Sequence, residues 1–509
     1  MKKIVTLIIA LQSLFYYASA QLVNYPAPQG SSLNSDFTVK VRQQGQAWQI
    51  VPTYQATVNS VTSRVVTATE NFVNTSFAYF DFAGEVEVSI TANNATIKNV
   101  RIRPLGDGIM PKITRNTITF SLKDPRKLSI EINDDIFHNL QLFANALETY
   151  HPLATDTNVM YYGPGMHQVG TLQVPSNKTV YIAGGAVVVG QILINNKENV
   201  HVLGHGILTQ IGAPAGTVNT LTPNPSLPKG VPASTRALQF RNDALTVNFS
   251  KNVVVDGPVI LPHKYSVFIG QSTGVKVNDI KSFSAEGNAD GLDIFCSTDI
   301  AIDNIFMRNS DDCIAIYGHR WGFYGNTKNV IVTNSILWAD VAHPIVVGTH
   351  GDPPHPDTLG TMKFSNIDIL DQHESQIDYQ GCMALNAGDA NLINNIRFEN
   401  IRIEDIRKGQ LFNLRVMYNH KYNTAAGHGI ENIYFKNVSY TGNNANMSVI
   451  AGYDEQHLVK NITFENLTIN GKVITDTMPD KPSFYKTGDM ANIFIGENTD
   501  NIKFIALQK

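Results

Sequence analysis

Three aspartates and a histidine lie near the start of three similar segments in the middle of the chain. The segments read, in one-letter code, NADGLDIF at 288–295, SDDCIAIY at 310–317 and AHPIVVGT at 342–349. Aligned without gaps, with the third segment beginning one position later than the other two, they place Asp290 above Asp312 and His343, with Asp311 beside Asp312. Carboxylates this close repel one another, so the pKa of at least one rises and that group keeps a proton near neutral pH. A protonated acid beside ionised carboxylates is what hydrolysis of a glycosidic bond requires.

The apolar residues of these segments predict how they stack. Two inward columns follow from the alignment, Leu292 with Ile314 and Ile345, and Ile294 with Ile316 and Val347. A shift of one residue would move the apolar side chains of a strand from the core to the outer face. The match of apolar positions in all three segments therefore specifies the register. Asp290 and Asp312 are 22 residues apart, and His343 follows Asp312 after 31 residues. We interpret these distances as one coil of a repeat, and then one coil with an insertion.

The inserted loop carries aromatic and basic residues directly after the paired aspartates. These are His319, Arg320, Trp321 and Tyr324. Aromatic rings beside carboxylates suit stacking on sugars, and the basic side chains can bind hydroxyls or an acidic group. Asp293 and the more distant Arg415 complete the predicted substrate-binding set. Packing within the loop is the alternative for each aromatic residue, and a surface ion pair is the alternative for Arg415.

Short β-prone runs recur from about Met160 onwards, and many begin with asparagine. Nine of them are Asn252–Val255, Gly274–Val277, Asp299–Ile302, Asn329–Val332, Met362–Phe364, Asn395–Phe398, Asn432–Phe435, Asn461–Phe464 and Asn501–Phe504. Their starts lie roughly 22 to 40 residues apart, which is typical of a solenoid. One coil cannot bury its apolar face alone, so successive coils stack about 4.8 Å apart. Asparagine suits the corners because it tolerates left-handed turns and forms side-chain ladders.

The preceding part of the chain has a different pattern. Apolar and polar residues alternate at Val39–Arg42, Glu87–Ile90 and Thr117–Phe120, with turns between them. Short alternating strands separated by turns are typical of a β-sandwich. We therefore predict an all-β protein with an amino-terminal β-sandwich over 21–155 and a right-handed parallel β-helix over 156–509.

Residues 1–20 have the pattern of a cleaved signal peptide. Lys2 and Lys3 precede the mostly apolar stretch Ile4–Phe15, and Ala18–Ala20 forms a small-residue cleavage site. The apolar stretch is too short to span a bilayer, and no later run reaches about 18 apolar residues. The pattern predicts a protein without a membrane span that is secreted or periplasmic.

Composition limits the partners and cofactors. The 509 residues include 39 Lys and Arg against 43 Asp and Glu, giving a net charge of −4, so no nucleic-acid partner is expected. The odd set of cysteines, Cys296, Cys313 and Cys382, fits no zinc spacing, and we expect them to be small buried residues. We predict neither a metal nor a cofactor, and the oligomeric state stays unknown.

Three further motifs favour structural roles or stay ambiguous. Asp134-Asp135 lies in the first domain without stacking partners, which indicates a turn. Gly204-His205-Gly206 lies at an early coil start, where a structural turn is again the favoured interpretation. Trp338 precedes the third segment and fits either the core or the wall of a cleft.

The segments resemble the clan of inverting β-helix glycoside hydrolases that contains families 28 and 49. NADG, DDC and AHPIVVG are similar to the NTDG, DDC and GHGxxxG motifs of family 28, the polygalacturonases. Other features are similar to family 49, which includes dextranase and isopullulanase: the sandwich, GHGIL at 204–208, and Trp338 leading into 344–346. The resemblance covers most of the chain, and its specific motifs span 288–349.

The resemblance implies a role for each member of the cluster. Asp311 would be the general acid, and Asp290 and Asp312 would hold and deprotonate the attacking water. His343 would support the protonation state and orientation of the acid. Inversion implies carboxyl groups about 6.5–9.5 Å apart, with room for that water.

The chain departs from family 28 one coil after His343. Family 28 has Arg-Ile-Lys there, which binds the substrate carboxylate, whereas the corresponding coil here is Gly381–Leu385, without either base. The sequence therefore favours a secreted hydrolase of another α-linked polysaccharide or oligosaccharide. Pectin-type hydrolysis through Arg320 or Arg415 is the first alternative. A polysaccharide lyase, or a β-helix that binds carbohydrate without catalysis, is the second.

Overall fold

The computed structural model describes residues 21–61, 71–211 and 243–507, so the predicted signal peptide at residues 1–20 lies outside the described residues. Regular structure in these ranges is almost entirely β, as predicted. The exceptions are two 3-10 turns, Leu105–Asp107 and Ile377–Tyr379, and one helical turn, α1 (Thr487–Met490). Over the same ranges, no helix has the length and apolar character needed to cross a membrane.

The amino-terminal part is a sandwich of two sheets. Its strands are β1 (Gln21–Val23), β2 (Phe37–Arg42), β3 (Gln49–Val51), β4 (Tyr54–Asn59), β5 (Phe72–Ala83), β6 (Val86–Ala92), β7 (Val100–Arg103), β8 (Lys112–Thr114), β9 (Thr117–Leu122), β10 (Arg126–Ile132) and β11 (Asp135–Ala146). One sheet has the order β1-β5-β11-β10-β7, with β4 beside β5, and the other has the order β3-β2-β6-β9-β8. The three runs predicted from alternation are neighbours in the second sheet, because Val41 pairs with Val88 and Val88 with Phe120. Their inward residues are buried between the two sheets.

The rest of the described chain winds into one parallel solenoid. Its strands are β12 (Val159–Tyr162), β13 (Gly165–Gln173), β14 (Thr179–Ile182), β15 (Ala186–Asn195), β16 (Glu198–Leu203), β17 (Ile207–Thr209), β18 (Leu245–Asn248), β19 (Lys251–Asp256), β20 (Val259–Leu261), β21 (Val267–Gly270), β22 (Thr273–Asn278), β23 (Lys281–Phe283), β24 (Leu292–Phe295), β25 (Thr298–Asp303), β26 (Phe306–Asn309), β27 (Ile314–Tyr317), β28 (Thr327–Ala339), β29 (Ile345–Gly348), β30 (Thr358–Gln372), β31 (Met383–Ala387), β32 (Leu392–Ile403), β33 (Gly409–Gln410), β34 (Phe412–Val416), β35 (Gly429–Tyr440), β36 (Ala445–Asn446), β37 (Ser448–Ala451), β38 (Val459–Glu465), β39 (Leu467–Ile469), β40 (Lys472–Ile474), β41 (Ile493–Ile495) and β42 (Thr499–Ile505). Within the described ranges, 29 of these strands form one continuous sheet, and β33 pairs with β36 in a small separate one.

The predicted repeat is confirmed as a column of stacked coils. The nine runs pair in sequence order through Val253, Val275, Ile300, Val330, Met362, Ile396, Ile433, Ile462 and Ile502. These residues belong to or pack against the solenoid's apolar core. The last strand of the sandwich ends at Ala146 and the first strand of the solenoid begins at Val159, so the predicted boundary at 155 falls between them.

Side-chain ladders run along the outer corners and through the core. Corner asparagines such as Asn432 and Asn461 have positive φ, at 61° and 58°. The Asn461 amide donates to Asn432 Oδ1 at 3.1 Å, and Asn501 bonds to Asn461 at 2.7 Å. Inside, Phe398 stacks on Phe435 with ring centroids 5.0 Å apart and planes 8° from parallel. Both ladders repeat at the coil spacing and hold neighbouring coils in register.

Buried ion pairs join the sandwich to the solenoid. Arg308 of β26 is fully buried, and its Nε donates to Asp340 Oδ2 at 3.0 Å while Nη1 donates to Asn139 of β11 at 2.9 Å. From the sandwich, Arg103 bonds to Glu404 of the solenoid at 2.7 Å. Each cation has a carboxylate and further polar partners, so the contact fixes the relative orientation of the two parts.

The motifs with favoured structural interpretations lie away from the aspartate cluster. Trp338 is fully buried under the Arg308 guanidinium, 4.0 Å from its ring centroid, so it belongs to the domain interface and not to a cleft wall. His205 bonds through Nδ1 to Asp81 of the sandwich at 2.7 Å, beside an interdomain cavity of about 520 Å³. Asp134 lies in the β10–β11 turn with a φ of 63°. All three cysteines are free and buried, as expected.

Candidate active site

The three segments stack in the predicted register. The pairs are Leu292 with Ile314 and Ile294 with Ile316, followed by Ile314 with Ile345 and Ile316 with Val347. The ladder continues to the acidic residues, since the Gly291 amide donates to the Asp312 carbonyl and the Cys313 amide to the His343 carbonyl, both at 2.8 Å. Asp290, Asp312 and His343 therefore occupy equivalent positions in three consecutive coils.

Gly291 permits the close approach of the first two coils. A Cβ added there would lie 2.5 Å from the Cys313 carbonyl oxygen and 2.5 Å from Asn309 Oδ1. Both contacts are well inside van der Waals distance, so a larger residue would force the coils apart. Glycine after Asp290 thus keeps this aspartate near the Asp311–Asp312 turn.

His343 is fully buried and is held by acceptors on both ring nitrogens. Its Nδ1 donates to Asp312 Oδ1 at 2.7 Å, and its backbone amide reaches the same oxygen at 3.1 Å. Its Nε2 donates to the carbonyl oxygen of Tyr379. A carboxylate and a carbonyl can only accept, so both nitrogens carry protons and the ring is an imidazolium. Burial opposes this charge, but Asp312 outweighs burial and the pKa of His343 rises to about 9.

Asp312 is the acceptor at the centre of this arrangement. Besides the two bonds from His343, its Oδ2 accepts a bond from the Tyr317 hydroxyl at 3.3 Å. Such a set of donors suits an ionised carboxylate. The hydrogen bonds of His343 therefore go to Asp312 and Tyr379, and not to the acid Asp311 that the resemblance pairs with it.

Asp311 is the protonated member of the cluster near neutral pH. It is partly exposed, whereas Asp290 and Asp312 are only 4% and 5% exposed. Loss of hydration raises the pKa of Asp311 to about 7, helped by the charges of Asp312 and Glu374, while His343 acts in the opposite direction. The backbone amide of Asn288 donates to Asp311 Oδ2 at 3.1 Å. One acid that holds a proton beside an ionised neighbour is the arrangement that the sequence predicts.

Glu374 is a site residue that the sequence analysis missed. It lies in the loop after β30, it is 5% exposed, and its Oε1 accepts a bond from the Gln376 amide at 2.7 Å. Burial raises its pKa, and His343 acts against that rise. Its charge in turn raises the pKa of both Asp311 and His343. No periodic pattern marks this position, because the loop between β30 and β31 belongs to no repeat.

Arg320 and Trp321 of the inserted loop lie over the same sheet. The Arg320 guanidinium is 5.0 Å from the Tyr317 ring centroid and 4.5 Å from that of Trp321. Burial opposes the charge of Arg320, but Tyr317, Tyr265, Asp293 and Asp290 together raise its pKa. The structure therefore brings Arg320, Trp321, Asp290 and Asp293 to one region, and their contact with a substrate stays a prediction.

His319 and Tyr324 form a separate contact at the base of the loop. Their ring centroids are 4.1 Å apart, and His319 Nδ1 donates to the Phe323 carbonyl at 2.7 Å. The His319 backbone amide donates to Asp357 at 2.6 Å, and burial lowers the pKa of its imidazole. These contacts fit the alternative of packing within the loop, so a substrate contact stays a prediction for both residues.

Arg415 lies two coils beyond His343 on the same sheet. In β34 it pairs with Asn386 of β31, and Gly348 of β29 pairs with that asparagine. The position agrees with the predicted distance along the solenoid. The coil between them has Ala384 and Asn386 on the outer face, where the basic pair of family 28 would lie.

The pKa of Asp311 sets an expected pH dependence. The resemblance implies that Asp311 is the general acid, which must be protonated to act, and the protonated form dominates below its pKa of about 7. We therefore expect kcat/KM to fall as pH rises above about 7, approaching tenfold per pH unit. Glu374→Gln removes a charge that raises this pKa, so its alkaline limb should lie at lower pH. Initial rates across pH 4 to about 9 measure both profiles.

Glu399→Gln is the matched control for that shift. Glu399 lies on the outer face, where it pairs with Lys363 at 2.8 Å and with Arg397 at 2.8 Å. Its variant should keep the wild-type profile. An alkaline limb that stays in place in Glu374→Gln would show that Glu374 has no influence on the proton of Asp311.

The fold and the cluster define a parallel β-helix protein with stacked carboxylates on one sheet. Comparison with known families identifies the family to which this chain belongs. Residues 229–483, half of the chain, match glycosyl hydrolases family 28. The chain belongs to this family.

Individual relatives are distant and match only in part. The probable endopolygalacturonase D of Emericella nidulans is 25% identical over 224 residues, which are 44% of this chain and 39% of that protein. The polygalacturonase of Fusarium fujikuroi is 27% identical over 126 residues, 25% of this chain and 29% of that protein. The chain thus spans less than half the length of these relatives.

Among solved structures, Dex49A from Penicillium minioluteum is similar with a TM-score of 0.57 at 15% identity, covering 94% of this chain and 96% of that one. That likeness extends over both the sandwich and the solenoid.

Proposed function

We propose that the protein hydrolyses a pectin-type polysaccharide at α-galacturonide linkages, with inversion at the anomeric carbon. The observation that carries this proposal is the coincidence of the family 28 match with the cluster of Asp290, Asp311, Asp312 and His343, in which Asp311 alone is partly exposed. The sequence alone favoured another α-linked polysaccharide. The named relatives are polygalacturonases, and they favour the pectin-type alternative.

The geometry supports a division of labour among the four residues. Asp311, whose pKa is raised to about 7, gives its proton to the glycosidic oxygen as the bond breaks. Asp312 and Asp290 hold the attacking water on the opposite side and accept its proton. His343 holds Asp312 through Nδ1 at 2.7 Å and keeps its oxygens oriented. Tyr317 fixes the second oxygen of the same carboxylate.

A panel of polysaccharides tests the substrate class. Polygalacturonate, methyl-esterified pectin, dextran, pullulan and algal galactans would be incubated with the wild-type protein and with Asp311→Asn. We expect new reducing ends from the galacturonans, and none from any of them with the variant. Reducing ends released only from dextran or pullulan would overturn the pectin assignment.

The same assay distinguishes the other two functions. A lyase would release products with the ultraviolet absorbance of unsaturated uronates. A binding protein would retain polygalacturonate in an affinity gel without releasing reducing ends. Either result would contradict hydrolysis.

We also propose that the protein is exported, because of the pattern at residues 1–20. The amino-terminal sequence of the protein recovered from the producing cells tests this. Export predicts a mature chain that starts at Gln21, and an intact Met1 in the recovered protein would refute it.

A further inference from the structure

One outer column of the catalytic sheet continues past the acidic cluster. It passes from Gly348 through Asn386 to Arg415. The alternate residues of β31, such as Leu385, belong to the solenoid core, so Asn386 is on the opposite face. Ala384 on that face packs in the cluster that includes Tyr317. At about 4.8 Å per coil, Arg415 lies about 10 Å along the solenoid from the coil of His343.

Two polar side chains in this column have unused hydrogen-bonding groups. Asn386 is 0% exposed, and neither its amide nitrogen nor its oxygen has a partner among the described residues. The Nε of Arg415, one coil further, is also buried without a partner in the same ranges. Buried polar groups almost always have a partner, so a pair of adjacent exceptions indicates a site that a ligand completes.

Arg415 also lacks a carboxylate in direct contact. Other buried arginines have carboxylate partners: Arg103 has Glu131 at 3.0 Å, and Arg308 has Asp340 at 3.0 Å. Arg415 forms no ion pair with any residue in the described ranges. Burial lowers its pKa, and Asp378 is the charge that acts against this decrease. A half-buried guanidinium in this state favours an anion beside it.

Arg320, the other candidate cation, differs in this respect. Tyr317, Tyr265, Asp293 and Asp290 all raise its pKa, whereas Asp378 is the one group that does so for Arg415. Arg415 is therefore the better partner for a carboxylate that the ligand supplies.

Two exposed tyrosines follow the strands of this column. Tyr418 comes three residues after Arg415, and Tyr453 comes two residues after Ala451, which pairs with Arg415. They are 36% and 48% exposed, and their ring centroids are 6.3 Å apart. An acidic sugar can stack its ring on an exposed tyrosine while its carboxylate pairs with a neighbouring cation.

We propose that Arg415 binds the carboxylate of a galacturonate ring two coils away from the bond that is cleaved. This inference rests on the proposed function. It places the acid-recognising cation on β34 and leaves the coil of Ala384 uncharged. The partly exposed guanidinium can donate two parallel hydrogen bonds to the carboxylate, a geometry that lysine reproduces only in part.

Paired substrates measure this contact directly. The experiment compares kcat/KM for oligogalacturonate and for its methyl ester of the same length, in wild type, Arg415→Gln, Arg415→Lys and Arg397→Gln. Arg397 is the control because it pairs with Glu399 on the outer face at 2.8 Å. We expect Arg415→Gln to lower the ratio of free acid to ester by roughly 10- to 100-fold. Arg415→Lys should lower it less, and Arg397→Gln should leave it unchanged.

The outcomes separate this inference from the proposed function. Wild-type cleavage of galacturonan with an unchanged ratio in Arg415→Gln would overturn the inference alone. An equal loss on both substrates in Arg415→Gln would overturn it as well, because that is the result of a structural role. If the wild type cleaves no galacturonan, the proposed function fails, and calorimetry with trigalacturonate still tests the site. Binding to Asp311→Asn that is lost in Asp311→Asn/Arg415→Gln would support it, and equal binding or none would overturn it.

Discussion

Asp311→Asn is expected to lower kcat by about a thousandfold while the protein stays folded. Asparagine has the shape of the protonated acid and can still accept the bond from the Asn288 amide. It cannot transfer a proton to the leaving oxygen, so the loss falls on the chemical step and KM should change little. Reducing-sugar assays at pH 5 to about 7 measure the effect. Turnover close to that of the wild type would remove Asp311 from the role of general acid.

The same substitution should stabilise the protein at alkaline pH. The pKa of Asp311 is raised from 3.8 to about 7, mainly by burial. The stability that its carboxyl contributes is therefore complete below about pH 4 and is lost as pH rises through about 7. Asparagine has no such loss, and the full shift corresponds to about 4 kcal/mol at pH 8. Because solvent screens the partly exposed carboxyl, the variant should exceed the wild type by about half of that, about 2 kcal/mol, at pH 8 and match it near pH 4.

Thermal unfolding at the two pH values tests the sign of this effect. Asp124→Asn is a suitable control, because its carboxyl is 73% exposed and its one ion pair, with Arg126, is long at 3.9 Å. That variant should show no pH-dependent gain. A Tm of Asp311→Asn below that of the wild type at pH 8 would contradict the electrostatic account of the cluster.

Arg308→Met is expected to have the largest effect on stability. It leaves Asp340, which is fully buried, without the guanidinium 3.0 Å away, and it removes the bond to Asn139 of the sandwich. Breaking a buried pair in this way costs about 3–5 kcal/mol. Denaturant unfolding of the whole protein measures the loss, and a change below about 1 kcal/mol would refute the role of Arg308 at this interface.

Two further variants show whether the loss comes from the isolated charge. Arg308→Met/Asp340→Leu removes both charges and should recover part of the stability, because the buried carboxylate that the single variant leaves with only Arg407, at 3.4 Å, is no longer present. Arg42→Met breaks an ion pair with Glu87 whose side chains are 34% and 36% exposed, and it should cost less than about 1 kcal/mol. Equal losses in the single and double variants would attribute the effect to packing.

The coil register was predictable from the sequence because the solenoid repeats one physical requirement. Each coil buries alternate apolar residues, so Leu292, Ile314 and Ile345 could be aligned without a structure, and they pair as predicted. The corner asparagines follow from the same requirement, since each coil needs a turn that Asn461 and its counterparts make at positive φ. Once this register holds, Asp290, Asp312 and His343 must lie in one column.

Features outside the repeat were not predictable. Glu374 reaches the cluster from a loop whose path depends on contacts such as the bond from Gln380 Nε2 to its carbonyl at 2.7 Å. Arg308 meets Asn139 across 169 residues, and nothing in the local pattern of either strand indicates that contact. The bond from His343 to Asp312 was missed because stacking predicts only proximity, whereas the orientation of a ring depends on acceptors such as the Tyr379 carbonyl.

The anomeric configuration of the first product tests the central claim most directly. Proton NMR would follow a short oligogalacturonate from the moment the wild-type protein is added, before the new reducing end equilibrates. A water held by Asp290 and Asp312 opposite the acid Asp311 delivers the β-anomer from an α-linked substrate. Initial formation of the α-anomer would mean a covalent intermediate, and the cluster could not then work as described.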